Sequence, residues 1–212
     1  MFLTFEGLDY SGKTTQAKML VERLQQQGDQ VVLLREPGGT IISEKIREIL
    51  LDKQNHDLTQ AAELFLFSAA RTQLVREIIQ PALKANKIVV CDRFYDSTTA
   101  YQGYGRGVNL DGVHAINRIA TLGISPTITF FIDISIDEIF RRQVTAGITS
   151  DRMESAGKDF FERVRNGYWK LAENEARRVI VVNGQRPVQE IHEEIWDLIQ
   201  KHGHKNSDAF NN

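Results

Sequence analysis

Residues 7–15 read Gly7-Leu8-Asp9-Tyr10-Ser11-Gly12-Lys13-Thr14-Thr15, and the run from Gly7 to Thr14 fits the spacing G-x-x-x-x-G-K-[ST]. Before it, Phe2-Leu3-Thr4-Phe5 is an apolar, β-prone run of the kind a buried strand needs. After it, Gln16 to Gln27 predicts a helix with Ala17, Leu20, Val21 and Leu24 on one face. Strand, glycine loop and helix together cradle phosphate. Gly7 and Gly12 allow backbone angles and close approach that a Cβ would block. Loop N–H groups and the helix N-terminus turn partial positive charge towards the phosphates. Lys13 adds a full charge near the β- and γ-phosphates, and the Thr14 hydroxyl suits Mg²⁺. The stretch is a P-loop and predicts nucleoside triphosphate binding.

Working outward, four more apolar runs read as strands: Val31–Leu34, Ile88–Cys91, Ile128–Ile132 and Val179–Val182. Helical patterns separate them: Ile41–Leu51, Thr59–Leu83, Leu110–Leu122, Asp137–Val144, Asp159–Arg177 and Val188–His202. Pro81 is expected to kink or end the second of these. Phe94–Val108 reads as loop and short helix. The strands are continuously apolar rather than alternating, which predicts an α/β fold: five parallel strands with helices on both faces. Ligands in such sheets bind at the carboxyl ends of the strands, where the P-loop, Arg35-Glu36 and Asp92-Arg93 fall. Residues 1–202 are expected to form one domain. Within it, polar residues 145–157 read as a short lid with Gly147 and Gly157 as hinges, and Gly203–Asn212 reads as a disordered tail.

Composition narrows the class. A single cysteine, Cys91, excludes an internal disulfide framework and a cysteine-based metal cluster, pointing to a reducing cytoplasm. A formal net charge of −2 gives no basis for a nucleic-acid partner. No apolar stretch approaches the roughly 20 residues of a membrane span. The first residues run straight into the P-loop strand, so no signal peptide is expected.

A P-loop alone leaves open a GTPase, an ATPase motor, a transporter subunit or a small-molecule kinase. No N-K-x-D segment reads guanine, which counts against a switch GTPase. Asp92, ending an apolar strand, fits an acid that holds Mg²⁺ through water. Phosphoryl transfer rests on positioning and charge neutralisation, so converging cations are needed; Arg47, Arg71, Arg93, Arg141, Arg142 and Arg152 are the candidates. Two aromatic-plus-polar clusters suit a base and sugar: Phe67-Ser68-Ala69-Ala70-Arg71, and the run from Thr98 through Tyr101 and Gln102 to Gly107.

From Phe5 to about Trp196 the chain resembles the bacterial thymidylate (dTMP) kinases. The motifs are F-E-G-L-D-Y-S-G-K-T-T, R-E-P-G-G-T, L-F-S-A-A-R, D-R-F followed by A-Y-Q-G-Y-G-R-G, and D-R-M-E. The resemblance implies transfer of the ATP γ-phosphoryl group to dTMP with Mg²⁺. It implies that Gly7, Leu8, Asp9, Tyr10, Ser11, Gly12, Lys13, Thr14 and Thr15 hold ATP, with Arg142 beside them. Asp9 would also touch the deoxyribose 3′-hydroxyl. Thr14 would ligate Mg²⁺, with Asp92 and Glu36 acting through water. Glu36 would border the acceptor phosphate, Arg47 would lie near it, and Arg93 would hold it. Phe67 would stack on thymine and Arg71 would reach its O4. Thr98 and Gln102 would read the base edge, and Tyr101 would exclude a ribose 2′-hydroxyl. Asp9, Lys13, Arg93 and Arg152 would be the catalytic set. Tyr10 stands where the family often has Gly or, in one subtype, Arg. The cation missing from the loop is therefore expected from the lid, at Arg152 foremost, with Arg142 and Arg141 as the alternatives. A homodimer is implied as well. A kinase for another nucleotide and a regulatory P-loop protein are the alternatives.

Overall fold

The structure is a computed structural model describing residues 1–147, 152–153 and 157–207. Five strands form one sheet: β1 (Phe2–Glu6), β2 (Val31–Arg35), β3 (Ile88–Asp92), β4 (Ile128–Asp133) and β5 (Val179–Asn183), in the order β2-β3-β1-β4-β5. All neighbours pair in parallel. β1, buried at every position, lies in the middle of the sheet, so the loop after it emerges where the strand order reverses. β2 is an edge strand with Leu33 40% exposed; the expectation of a fully buried second strand does not hold there.

Helix α1 (Lys13–Gln26) starts directly on the glycine loop, three residues earlier than its apolar period suggests. Its Ala17, Leu20, Val21 and Leu24 pack under β1 and β4 with Ile191, Ile195 and Trp196 of α9 (Val188–Ser207). α9 runs on past His202, where the sequence pattern stops, so the first part of the expected tail is helical. Residues 208–212 of that tail lie outside the described residues. On the opposite face, α8 (Lys158–Asn174) packs Phe160, Phe161, Val164 and Tyr168 against Phe131 of β4 and Tyr101. Thr40 caps α2 (Ile41–Leu51) and Thr59 caps α3 (Gln60–Leu74), each side chain accepting from the backbone N–H three residues on.

Two departures from the expected elements matter for the site. α3 does not simply end or kink at Pro81; a π-helical turn, Val75–Ile79, leads into α4 (Gln80–Lys84). Pro81 has no N–H to close an α-type bond, and the wider turn ahead of it keeps the helix path continuous. Phe94–Val108 is also more regular than a loop: α5 (Tyr95–Thr98) continues into a π-helical stretch, Thr99–Gly105, before α6 (Leu110–Ala120). Gly105 lets α8 approach closely, because a Cβ there would stand 2.7 Å from Val164. The π-helical stretch keeps Thr99, Ala100, Tyr101 and Gln102 buried and presents Tyr101 and Gln102 to one cavity. α7 (Ile136–Ala146) extends slightly beyond its predicted range. Of the expected lid, residues 148–151 and 154–156 lie outside the described residues.

Candidate active site

The loop between β1 and α1 has little freedom. Gly7 has φ 135°, and a Cβ on it would meet the Ile132 carbonyl oxygen at 2.5 Å; Gly12, at φ 98°, caps α1. Leu8 is buried, while Thr14 and Thr15 stand exposed on the first helical turn. Lys13 is almost wholly buried and donates to the Leu8 carbonyl at 2.7 Å, 4.0 Å from Asp9. Burial first, and repulsion from Arg93 next, bring its pKa down to about 8. Thr14 donates its hydroxyl to Asp92 Oδ2.

Arg93 ties this loop to a neighbouring cavity. It follows β3 at φ 71°, a left-handed conformation that costs a non-glycine residue energy and often marks a functional position. The guanidinium donates to Asp9 at 2.5 Å, the Gly7 carbonyl at 2.9 Å, Ser97 at 3.1 Å, and the Tyr101 and Tyr168 hydroxyls at 3.3 Å. Burial alone would raise the Asp9 carboxyl, but Arg93 and then Lys13 hold it below the usual carboxylate range. Behind Arg93 lies Glu6, fully buried and bonded by the Phe94 N–H, Ser97 and Tyr168. Burial, reinforced by Asp96, pushes the Glu6 pKa up.

Asp9, Glu36, Pro37, Arg47, Leu51, Phe67, Arg93, Ser97, Thr98, Tyr101, Gln102 and Met153 line a cavity of about 510 Å³, counting its open mouth. It has an apolar wall at Phe67, Leu51 and Met153, and polar groups at the Arg93 end. All but one of the residues expected to bind acceptor are therefore gathered in one place. The exception is Arg71, which lies a layer deeper, 2% exposed. It donates to Glu36 at 2.7 Å, Thr98 at 2.9 Å, Asn117 at 3.4 Å and the Phe94 carbonyl at 3.2 Å. Arg35 faces outward to Glu44, and Arg141 is exposed and paired with Glu138.

The two arginines expected near the transferring phosphoryl group, Arg142 and Arg152, stand apart in the structure. Arg142, on α7, donates to the Tyr10 carbonyl at 3.1 Å and to the Gly184 carbonyl at 2.9 Å, with Glu138 holding its Nε. Tyr10 itself takes φ 62°. A separate helix thus brings a cation, Arg142, to the non-arginine position of the loop. Arg152 instead lines a separate cavity with Lys53, His56, Glu63 and Arg106. It forms a 2.7 Å ion pair with the buried Glu63 and donates to the Leu50 carbonyl at 2.8 Å. Against the effect of burial, Gln102, Arg106 and Arg152 hold the Glu63 carboxyl below its usual range.

The donor set fits a magnesium ion. Asp92 Oδ1, Glu36 Oε1 and Ser11 Oγ are buried oxygens without a hydrogen-bond partner among the described residues. Hard oxygen donors in small number match Mg²⁺, which keeps waters and phosphate oxygens in its shell. Among the described residues no cluster of three or more His, Cys, Asp or Glu side chains forms a metal cage. Burial raises the Glu36 carboxyl to about 7 despite Arg71. Between 4.5 and about 7 the folded chain keeps a proton there that the unfolded chain has released, so this group's contribution to stability declines as pH rises. The melting temperature of wild type relative to Glu36→Gln is therefore expected to fall as pH rises across that window. A pH-independent difference would show that Glu36 titrates normally.

The residues that the sequence reading missed are Glu6, Glu63, Ser97, Tyr168 and Met153. Only Glu6 left a signal, a lone carboxylate ending an otherwise apolar strand.

A P-loop phosphotransferase, with a cavity lined in part by Asp9 of its glycine loop, is the class that fold and site define. A family model described as thymidylate kinase matches residues 5–195. A thymidylate kinase from Chlorobaculum parvum is 47% identical over 208 residues, covering 94% of this chain and 95% of that protein. One from Thermoanaerobacter pseudethanolicus is 43% identical over 201 residues, with 95% and 98% covered. The crystal structure of thymidylate kinase from Ehrlichia chaffeensis superposes with a TM-score of 0.75 at 37% identity, over 94% of this chain and 98% of that one. The chain belongs to the thymidylate kinase family, among the nucleoside monophosphate kinases.

Proposed function

We propose that this chain transfers the γ-phosphoryl group of ATP to dTMP, giving dTDP and ADP, with Mg²⁺ as cofactor. The observation that carries the reading is Arg93, which bonds the P-loop at Gly7 and Asp9 while lining the acceptor cavity with Phe67, Thr98 and Gln102. Donor and acceptor sites share one cationic wall.

In this reading a dTMP phosphate oxygen attacks the γ-phosphorus in line. The bond to the β,γ-bridging oxygen breaks, and that oxygen leaves with ADP. The acceptor is already largely ionised, so no side chain needs to act as a strong base. Lys13 and the loop N–H groups hold the β- and γ-phosphates, and Arg93 orients the attacking phosphate and screens its charge. Thr14, with Asp92 and Glu36 through water, would hold Mg²⁺; when bound, the ion neutralises charge on the phosphate oxygens. Phe67 stacks the base, Thr98 and Gln102 read its edge, and Tyr101 borders the sugar. Arg142 belongs to the ATP side. Arg152 reaches the transferring group only by leaving Glu63. Among the described residues no helix is long and apolar enough to cross a membrane.

ADP release coupled to a spectroscopic readout tests the reading. ADP formation is expected to depend on dTMP and to favour it over dUMP, UMP and CMP. Formation unchanged by dTMP would point to a regulatory P-loop protein, and a better acceptor among the other three would reassign the substrate.

A homodimer fits the surface. α2, α3 and α6 pack side by side, and each exposes large apolar side chains: Ile42 at 50%, Phe65 at 60% and Ile119 at 72%. Apolar groups gathered on adjoining helices favour burial against a second copy. Light scattering is expected to give twice the chain mass for wild type and the single mass for the double variant Phe65→Asp, Ile119→Asp. A monomeric wild type would remove the dimer.

A further inference from the structure

Glu63 lies on α3, 1% exposed, and enters the reaction described above only as the partner of Arg152. Its Oε1 accepts from Gln102 Nε2 at 2.8 Å and from Arg106 Nε at 3.3 Å. Its Oε2 accepts from Arg106 Nη2 at 3.4 Å and pairs with Arg152 Nη2 at 2.7 Å. Two guanidiniums and an amide therefore converge on one buried carboxylate, which they keep ionised. An ionised carboxylate has no proton to donate.

That chemistry constrains Gln102. A glutamine amide can be turned with either end towards a neighbour, but only its NH₂ end can face an acceptor that never donates. With Nε2 committed to Glu63, the carbonyl oxygen is the end left for the cavity, which Gln102 lines while itself 1% exposed. Thymine carries N3–H, a donor, between two carbonyls. Cytosine carries a bare N3 acceptor beside an amino group. A fixed carbonyl oxygen accepts from the first and faces the lone pair of the second.

We propose that Glu63 is a specificity-positioning residue, setting selection for a base with N3–H by locking the Gln102 amide with its oxygen towards the acceptor cavity. The inference rests on the reading of that cavity as the dTMP site. Glu63 acts through Gln102 and touches no substrate itself. A site built for one hydrogen-bonding pattern rejects the complementary one more strongly than it rejects a change of shape.

The test compares dTMP with 5-methyl-dCMP, which keeps the methyl group, sugar and phosphate and changes the N3 edge and its neighbouring group. Wild type is expected to prefer dTMP in kcat/KM. In Glu63→Gln the new side chain can donate or accept, so the Gln102 amide is free to turn, and the preference is expected to fall by roughly tenfold or more. Loss of the Arg152 anchor would slow both substrates alike and leave their ratio unmoved, so the ratio isolates the base effect. A wild type without preference overturns the cavity reading and this inference with it. A wild-type preference unchanged in Glu63→Gln overturns the role of Glu63 alone. Should that variant not fold, the side-chain amide signals of Gln102 in the wild-type chain decide, assigned by their loss in Gln102→Ala. One proton shifted downfield and slow to exchange, with and without dTMP, supports the lock. Two protons at free-glutamine positions overturn it.

Discussion

Arg93→Ala is expected to lower kcat/KM for dTMP by about 10³-fold, with the fold retained by circular dichroism. The magnitude follows from how many contacts end on this one side chain. Its guanidinium bonds Asp9, the Gly7 carbonyl, Ser97, Tyr101 and Tyr168, and with Arg47 it lines the cavity. Removing it leaves two phosphate groups to approach each other without that charge, and it frees Asp9 to repel the acceptor. Arg93→Lys is expected to recover little, because a single ammonium cannot span those partners at once. A loss under tenfold in Arg93→Ala would move the acceptor phosphate elsewhere in the cavity.

Lys13→Met is expected to lower kcat by about 10³-fold without lowering thermal stability at neutral pH. The two halves of this prediction have one cause. Lys13 is buried in the loop with its pKa brought down to about 8, so the chain without nucleotide holds the charge at a cost. Nucleotide phosphates offset that cost and methionine avoids it. Between about 8 and 10.5 the unfolded chain carries a proton on Lys13 that the folded chain has lost. Wild-type stability from this group therefore rises with pH through that window, and Lys13→Met is expected to lose that slope. A variant clearly less stable than wild type at neutral pH would mean that the bond to the Leu8 carbonyl outweighs the burial cost.

The donor half of the site was legible in the chain because it is local. Phe2–Glu6, the glycine loop and α1 are contiguous, and the requirement for glycine at Gly7 and Gly12 appears directly as residue type. The parallel sheet was legible too, since continuously apolar runs separated by helical periods have few other ways to be buried. The helical course of Thr99–Gly105 was not, because its glycines read as breaks; Gly105 proves to be the point where Phe160 and Val164 of α8 press in.

What only the tertiary structure decided is which charges face one another. From the sequence, Arg152 was the cation expected to replace the arginine missing at Tyr10. In the fold Arg142 reaches the Tyr10 carbonyl and Arg152 pairs with Glu63, a residue that stood out in no motif. Periodicity places a side chain on a face of its helix, and motif spacing places it at the end of a strand. Neither specifies which buried carboxylate a long, flexible guanidinium will meet, because that depends on contacts between elements distant in the chain. Residue types and their order determined a P-loop α/β fold of the thymidylate kinase family. Packing across the sheet determined that Arg93 joins the two halves of the site and that Glu63 holds Gln102, since a buried charge takes whichever partner the fold brings within reach.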